Sequence, residues 1–374
     1  MRSGPDRYRS YGGAMDRIGL RALNRTFLAR QGLLGDLGAT APDVVRHLVA
    51  VQAQEPNWAI VALRARIPTL ARDDVGRLVR DRTLVRTPLL RGTQHLLAAD
   101  DYAWLRPTVQ PMLDRLLRSP YYRAQTDGID VGELVEAARE ALGDEVRTRR
   151  EVAGVLAERF PGRRGAVLVA AVESLTPVVH DPATSAWGSW WSRRAIGLST
   201  AEAWLGGPTA LPDAERLVRR YLAAFGPAGV MDVQAWSGLT RLREVVDGIR
   251  AELRIVAGPD GTELLDLPDA PRAPADTEAP VRFLGAFDNA VLGHRDRARI
   301  LPHDARGHVM PGYSMVHATV LVDGFVAATW EVSGDDVVVR PVRPFTTGEE
   351  DAALAEGAVV RAFVSEGPGE VRLV

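Results

Sequence analysis

Cysteine is absent from all 374 residues, which rules out disulfides, thiolate nucleophiles and cysteine-ligated zinc. Lysine is absent too, so all 46 residues counted as Lys+Arg are arginines. A dominant charge of either sign is also missing: 46 cations against 48 carboxylates leave −2, without the strongly basic field usual in a nucleic-acid-binding domain. Any contact with a polyanion has to come from local arginine clusters, whose planar fork suits phosphates and base edges. The Ala- and Arg-rich usage also fits a high-GC genome. No apolar stretch approaches the ~20 residues that a spanning helix needs, so no membrane partner is expected. The opening MRSGPDRYRSYGGA has no apolar run behind its basic residues and is unlike a secretory signal. Residues 1–15 read as a disordered leader or an over-long start, and the protein as cytoplasmic.

What is present is enough apolar material, 46% of the chain, to fill two or three small cores. The organising stretch is 43–57, DVVRHLVAVQAQEPN. Val44, Val45, Leu48 and Val51 form the stripe of an amphipathic helix. Thr40 and Pro42 mark its start and Pro56 its end. That pattern predicts a helix running out across Gln52-Ala53-Gln54. Helical residues two apart lie about 200° apart around the axis, so only unwinding would aim both amides at one spot. Otherwise they are solvated or capping groups.

Taken in order, 20–34 reads as a helix, followed by helices over 58–66 and 73–82. Two β-like runs, 84–90 and 93–97, then flank Gly92. Helices followed by a hairpin make a winged helix, here over 16–118. Arg86 and Arg91 fall on or near its wing, as plain surface charge or as DNA-backbone contacts. A second unit, 119–205, has helices over 131–142, 150–160 and 165–175, with Thr148 and Glu151 as a capping box. Strands follow over 176–180 and 187–195. Its stretch WGSWWSRRA sets tryptophans beside Arg193 and Arg194, either to stack on bases and hold phosphates or to pack a wing. A third unit, 206–270, has three helices, the last capped by Thr240, and a hairpin at Pro259-Asp260-Gly261. Its last helix carries Glu244 and Asp247, which argues against every unit reading a groove.

PDAPRAPADTEAP, 268–280, reads as a linker. Beyond it, 281–374 is mostly β, with a hairpin at Asp323-Gly324, a helix opened by Thr347 and Glu350, and a last strand over 370–374. A small barrel is one arrangement for it. The fold class expected is α+β: tandem winged-helix units followed by a small, mostly β C-terminal domain. His294 and Asp296 lack a third ligand at sensible spacing, so no metal is expected. An arginine of the Arg295–Arg297 stretch, anchored by Asp288 or Asp296 and pointed at DNA, is the reading preferred there.

The blocks LRALNRTFLARQ, VVRHLVAVQAQEPNWAIVALRARI, LVRTPLLRGTQHL, LGAFDNAVLGHRDR and VLVDGFVAATW occur in that order. They resemble the winged-helix DNA glycosylases of the AlkZ and YcaQ type, from about Leu20 to the C-terminus. Those enzymes remove alkylated guanines and unhook interstrand crosslinks. Their glutamine–apolar–glutamine motif maps to Gln52 and Gln54. Gln54 departs from relatives with a carboxylate there, which points to the AlkZ-like branch and to self-protection by producers of DNA-alkylating compounds. The resemblance implies double-stranded DNA as partner, a cleft formed by the tandem units, and no cofactor. Nothing in the sequence requires more than a monomer.

The chemistry agrees with such a motif. Guanine alkylated at N7 is a cation and leaves without protonation, so the usual general acid of glycosidic cleavage is dispensable. A glutamine has no accessible proton equilibrium, but it can orient a water and turn its carbonyl dipole towards an oxocarbenium-like sugar. A crosslinked base cannot be swung fully out of the duplex. The competing readings are a winged-helix DNA-binding protein or regulator without catalysis, and a protein-interaction module.

Overall fold

The computed structural model describes residues 16–35, 38–181, 196–206, 210–312 and 314–374. Helix α1 (Leu20–Arg30) is followed by α2 (Ala41–His47), which opens on a capping box between Thr40 and Asp43. This exchange satisfies donors that a helix start leaves open. The helix expected to run out across Gln52-Ala53-Gln54 stops at His47. Val49 then adopts φ 68°, a left-handed conformation costing an L-residue about 1–2 kcal/mol. Tertiary packing holds it there: Val49 and Ala50 are completely buried, and Asn289 Nδ2 donates to the Ala50 carbonyl. The chain continues as strand β1 (Val51–Gln52). Pro56 starts the next helix, α3 (Pro56–Arg64), with Glu55 as its N-cap, where its missing N–H costs nothing.

After α4 (Asp74–Arg80), strands β2 (Leu84–Pro88) and β3 (Gln94–Ala98) pair antiparallel, and β1 completes a sheet ordered β1-β3-β2. Helices α5 (Ala99–Leu116) and α6 (Pro120–Thr126) lead to a second pass of the same kind. It comprises α7 (Val131–Leu142), β4 (Arg147–Thr148), α8 (Arg149–Arg159), α9 (Gly165–Leu175), β5 (Val178–His180) and β6 (Gly197–Thr200). Its sheet order, β4-β6-β5, matches the first, and the expected capping box of Thr148 and Glu151 opens α8. The strand expected over 187–195 lies outside the described residues.

Helix α10 (Ala201–Leu205) precedes a third pass of α11 (Ala214–Phe225), α12 (Val230–Ser237), α13 (Leu242–Ile249), β7 (Arg254–Ala257) and β8 (Glu263–Asp266). A single bridge from Ala228 to Leu265 stands where the other two have a first strand. Thr240 does not cap α13; Arg241, with φ 61° and no side-chain bond to the helix, occupies that position. The proline-rich stretch is strapped along α1 rather than free. Arg30 Nε donates to Pro271 O at 3.0 Å, Arg21 Nε to Ala275 O at 3.0 Å and Arg25 Nε to Thr277 O at 2.7 Å.

The C-terminal part begins with β9 (Arg282–Leu284), α14 (Asn289–Leu292) and α15 (Arg306–Val309). It continues with β10 (Ala318–Val322), β11 (Phe325–Ser333), β12 (Asp336–Pro341), α16 (Thr347–Val364) and β13 (Val371–Leu373). The strands lie in the linear order β13-β12-β11-β10-β9, an open sheet rather than a barrel. Its hairpin turns on Asp323 and Gly324, both at positive φ, as a tight two-residue loop requires. Helix α16 is capped by Thr346 and Glu349, one residue earlier than expected.

One apolar core joins residues of the first pass, the third pass and the C-terminal sheet. The second pass encloses a core of its own around Leu134, Leu156, Leu168 and Leu198. Among the described residues no helix is long and apolar enough to cross a membrane.

Candidate active site

Gln52 ends β1 opposite His95 of β3, and the ladder gains one more bond from Ala53 N–H to Gln94 O at 2.8 Å. In an extended chain, residues two apart face the same side. β1 reaches only to Gln52, and Gln54 lies beyond it, so what the break from α2 removes is the helical geometry that would have turned the two amides apart. Gln52 is 6% exposed, whereas Gln54 is open to solvent. Arg91 Nη2 donates to Gln52 Oε1 at 2.8 Å, and Gln94 N–H donates to Gln54 Oε1 at 3.2 Å. A guanidinium and a backbone N–H can only donate, so both carboxamides are oriented by their oxygens. Their Nε2 groups have no protein partner among the described residues.

Arg91 sits on the β2–β3 turn, as the wing reading expects, but it points inward. Its second nitrogen, Nη1, donates to the Trp236 carbonyl at the end of α12. Burial, with the neighbouring charge of Arg297, pushes its pKa down to about 10, still far above any working pH. His95 is completely buried against Thr93 O at 2.9 Å. Burial, with Arg91 adding to it, lowers its pKa to about 3, so its ring is neutral. The site thus borders on residues from the first pass, the third pass and the C-terminal part.

Arg86 is a correction. It is 3% exposed and cannot serve as a wing contact to DNA. Its side chain turns into the seam where β2 meets β5, donating from Nε to Ala53 O at 2.9 Å and from Nη2 to Gln54 O at 3.3 Å. Its third nitrogen, Nη1, lies 2.7 Å from His180 Nδ1. Burial pushes Arg86 down to about 10. Glu55, beside the motif, is half-buried, and burial raises its pKa.

Asp288 does not anchor an arginine aimed at DNA. It is buried in a two-pronged pair with Arg66, at 2.9 and 2.8 Å. Asp296 caps its own turn by accepting from Ala298 N–H at 3.0 Å. His294 is buried beside Phe27, Tyr221 and Phe225, its Nε2 at 3.0 Å from Phe225 O. Arg295 is exposed and Arg297 half-buried, and neither side chain has an ion pair among the described residues. Burial and the charge of Arg306 lower the pKa of Arg297. Arg193 and Arg194 lie outside the described residues. Among those described, no group of three or more His, Asp or Glu is placed to hold a metal.

Residues 45–363 match the family model for DNA glycosylase AlkZ-like proteins. The chain belongs to the AlkZ-like DNA glycosylase family. It is thereby placed among the hydrolases of N-glycosyl bonds. An interstrand DNA cross-link repair glycosylase of Streptomyces sahachiroi is 27% identical over 359 residues, covering 84% of this chain and 88% of that protein. The solved structure of the Streptomyces sahachiroi DNA glycosylase AlkZ matches with a TM-score of 0.78 at 25% identity, over 96% of this chain and all of that one.

Within this AlkZ-like chain, sequence reasoning missed His180, Glu173 and Trp236 as neighbours of the motif. Arg86 and His180 are 94 residues apart, and no spacing joins them. One signal was available. LVRTPLL is an apolar strand interrupted by an arginine, and a charge in such a strand is either at an edge or buried with partners.

Proposed function

We propose that the chain is a monofunctional DNA glycosylase that hydrolyses the N-glycosyl bond of cationic 7-alkylguanine in duplex DNA, with Gln52 and Gln54 as its catalytic pair. On this reading it also unhooks interstrand crosslinks made through such bases. The observation that carries it is the glutamine pair itself. Two carboxamides two residues apart, at the end of β1 and just beyond it, are each oriented through the oxygen, and among the described residues neither Nε2 has a protein partner.

In the reaction the bond from the sugar C1′ to N9 breaks, and its electron pair neutralises the cationic base. A water oxygen then bonds to C1′ and its proton passes to solvent. Gln54, the exposed member, has a second lone pair on Oε1 with which to accept from the water and aim it. Gln52 is polarised by Arg91 and offers a fixed amide donor to the water or the departing base. Neither residue has to take a proton, so activity is limited to leaving groups that are already charged.

The order of helix, strand or single bridge, two helices and two strands, met in three passes, supports reading each pass as a winged helix. We assign such units to 16–118, 119–205 and 206–270, with 281–374 as the C-terminal domain. Arg295 and Arg297 are assigned to phosphates of the duplex. The protein acts as a monomer on chromosomal DNA in the cytoplasm, in self-protection against a DNA-alkylating natural product.

The test is release of base from a duplex with a single 7-methylguanine, read as an alkali-sensitive abasic site. Release by the wild type, lost in Gln52→Ala and Gln54→Ala with duplex affinity retained, is the expected result. No release from this duplex or from one with a bulky cationic guanine adduct overturns the assignment, leaving a non-catalytic winged-helix DNA-binding protein.

A further inference from the structure

Gln54 stands beyond the last ladder bond of β1, so no neighbouring strand holds the carbonyls of Ala53 and Gln54. The Arg86 side chain holds both. Arg86 is in turn held from the second pass. A guanidinium has donors only, so His180 Nδ1 must accept from Arg86 Nη1 at 2.7 Å. A neutral imidazole with an accepting Nδ1 carries its proton on Nε2. That Nε2 lies 3.3 Å from Glu173 Oε1, while Glu173 Oε2 takes Arg149 Nη2 at 2.9 Å. His180 and Glu173 have side chains 0% and 5% exposed. Thr87 Oγ1, next to Arg86, donates to Val178 O at 2.7 Å across the same seam.

We infer that His180 and Glu173 are positioning residues for the glutamine pair. They fix the Arg86 guanidinium, and Arg86 fixes the backbone from which Gln52 and Gln54 project. The inference rests on the assignment of the two glutamines above. A buried charge network is by itself weak grounds for more than local packing. This one differs in its end point: it runs from α8, α9 and β5 and terminates on two carbonyls of the three-residue motif. The groups facing His180 are Arg86 from β2, Glu173 from α9 and Arg149 from α8. Between the two cations the ring is held neutral, its pKa lowered to about 4 chiefly by burial. A protonated ring would turn an N–H against Arg86 and break the link.

The experiment compares His180→Leu, which removes the acceptor, with His180→Asn, whose side-chain oxygen can stand near the Nδ1 position. Gln52→Ala and Gln54→Ala run beside them. Single-turnover release from the 7-methylguanine duplex and duplex Kd are measured well below the melting temperature of every variant. A motif displaced by about 1 Å can lose about a hundredfold in rate. The expected result is a loss of that size in His180→Leu at unchanged Kd, with most of the rate restored in His180→Asn. Wild-type rates in His180→Leu, with the glutamine variants inactive, overturn the positioning role and leave the catalytic reading intact. Equal losses in both His180 variants, or a loss carried by Kd, mark His180 as merely structural and likewise overturn it. Active glutamine variants overturn both readings.

Discussion

At the residue scale, two arginines grip the motif in different ways. Arg86 holds backbone carbonyls, whereas Arg91 holds the oxygen of the Gln52 carboxamide and ties it to Trp236 of α12. Arg91→Met should therefore free the Gln52 amide to rotate and slow single-turnover release by about ten- to a hundredfold. Arg91→Lys should not rescue it, because a point charge cannot reproduce a fork reaching two acceptors. A wild-type rate in Arg91→Met would sink this role. Glu55 poses the opposite test. It is a half-buried carboxyl with a raised pKa next to Gln54, yet its Oε1 caps α3. A general acid or base contributes about 100- to 10,000-fold. Glu55→Gln should cost far less on 7-methylguanine and leave the pH–rate profile without a new limb. A loss of about 100-fold would make Glu55 the catalytic group instead.

At the element scale, β1 exists because its surroundings demand it. Its local sequence continues the apolar stripe of α2, but Val49 is locked at positive φ by full burial and Ala50 is held by Asn289. The adjoining Asp288 binds Arg66 just beyond α3, so this turn fastens the C-terminal part to the helices around the motif. Asp288→Ala leaves a completely buried guanidinium without its carboxylate. It should cost about 3–5 kcal/mol in urea or thermal unfolding, the usual penalty for stranding one member of a buried pair. A change below about 1 kcal/mol would show that Arg66 finds other partners.

At the scale of the whole molecule, buried histidines couple stability to pH. His180 is lowered to about 4, His95 to about 3 and His294 well below 6.5, in each case chiefly by burial. The unfolded chain, with histidines near 6.5, binds these protons first. Stability from these groups is therefore complete above about pH 6.5 and is lost as pH falls towards the folded values. For His180 the span from 6.5 to about 4 corresponds to about 3 kcal/mol. The melting temperature should fall steadily from pH 6.5 to 4, and His180→Asn should flatten part of that slope. A flat profile across this range would mean that these rings protonate in the folded state without penalty.

The amino-acid sequence by itself settled what depends on near neighbours and on composition. The capping box at Thr148 and Glu151, the helix over 165–175 and the turn at Asp323-Gly324 are local chemistry, and the structure has each where the pattern placed it. The absence of cysteine and lysine is likewise a property of the chain alone. The resemblance carried the family, because ordered blocks survive where single contacts cannot be read. Tertiary structure decided the rest. An apolar period of three to four residues continues from α2 into β1 because both are buried, so periodicity could not show where helix gave way to strand. Arg86 and Arg91 read as surface charges or DNA-backbone contacts because their partners lie far along the chain. Only the folded seams, β2 against β5 and the β2–β3 turn against α12, turned those arginines inward onto the glutamines.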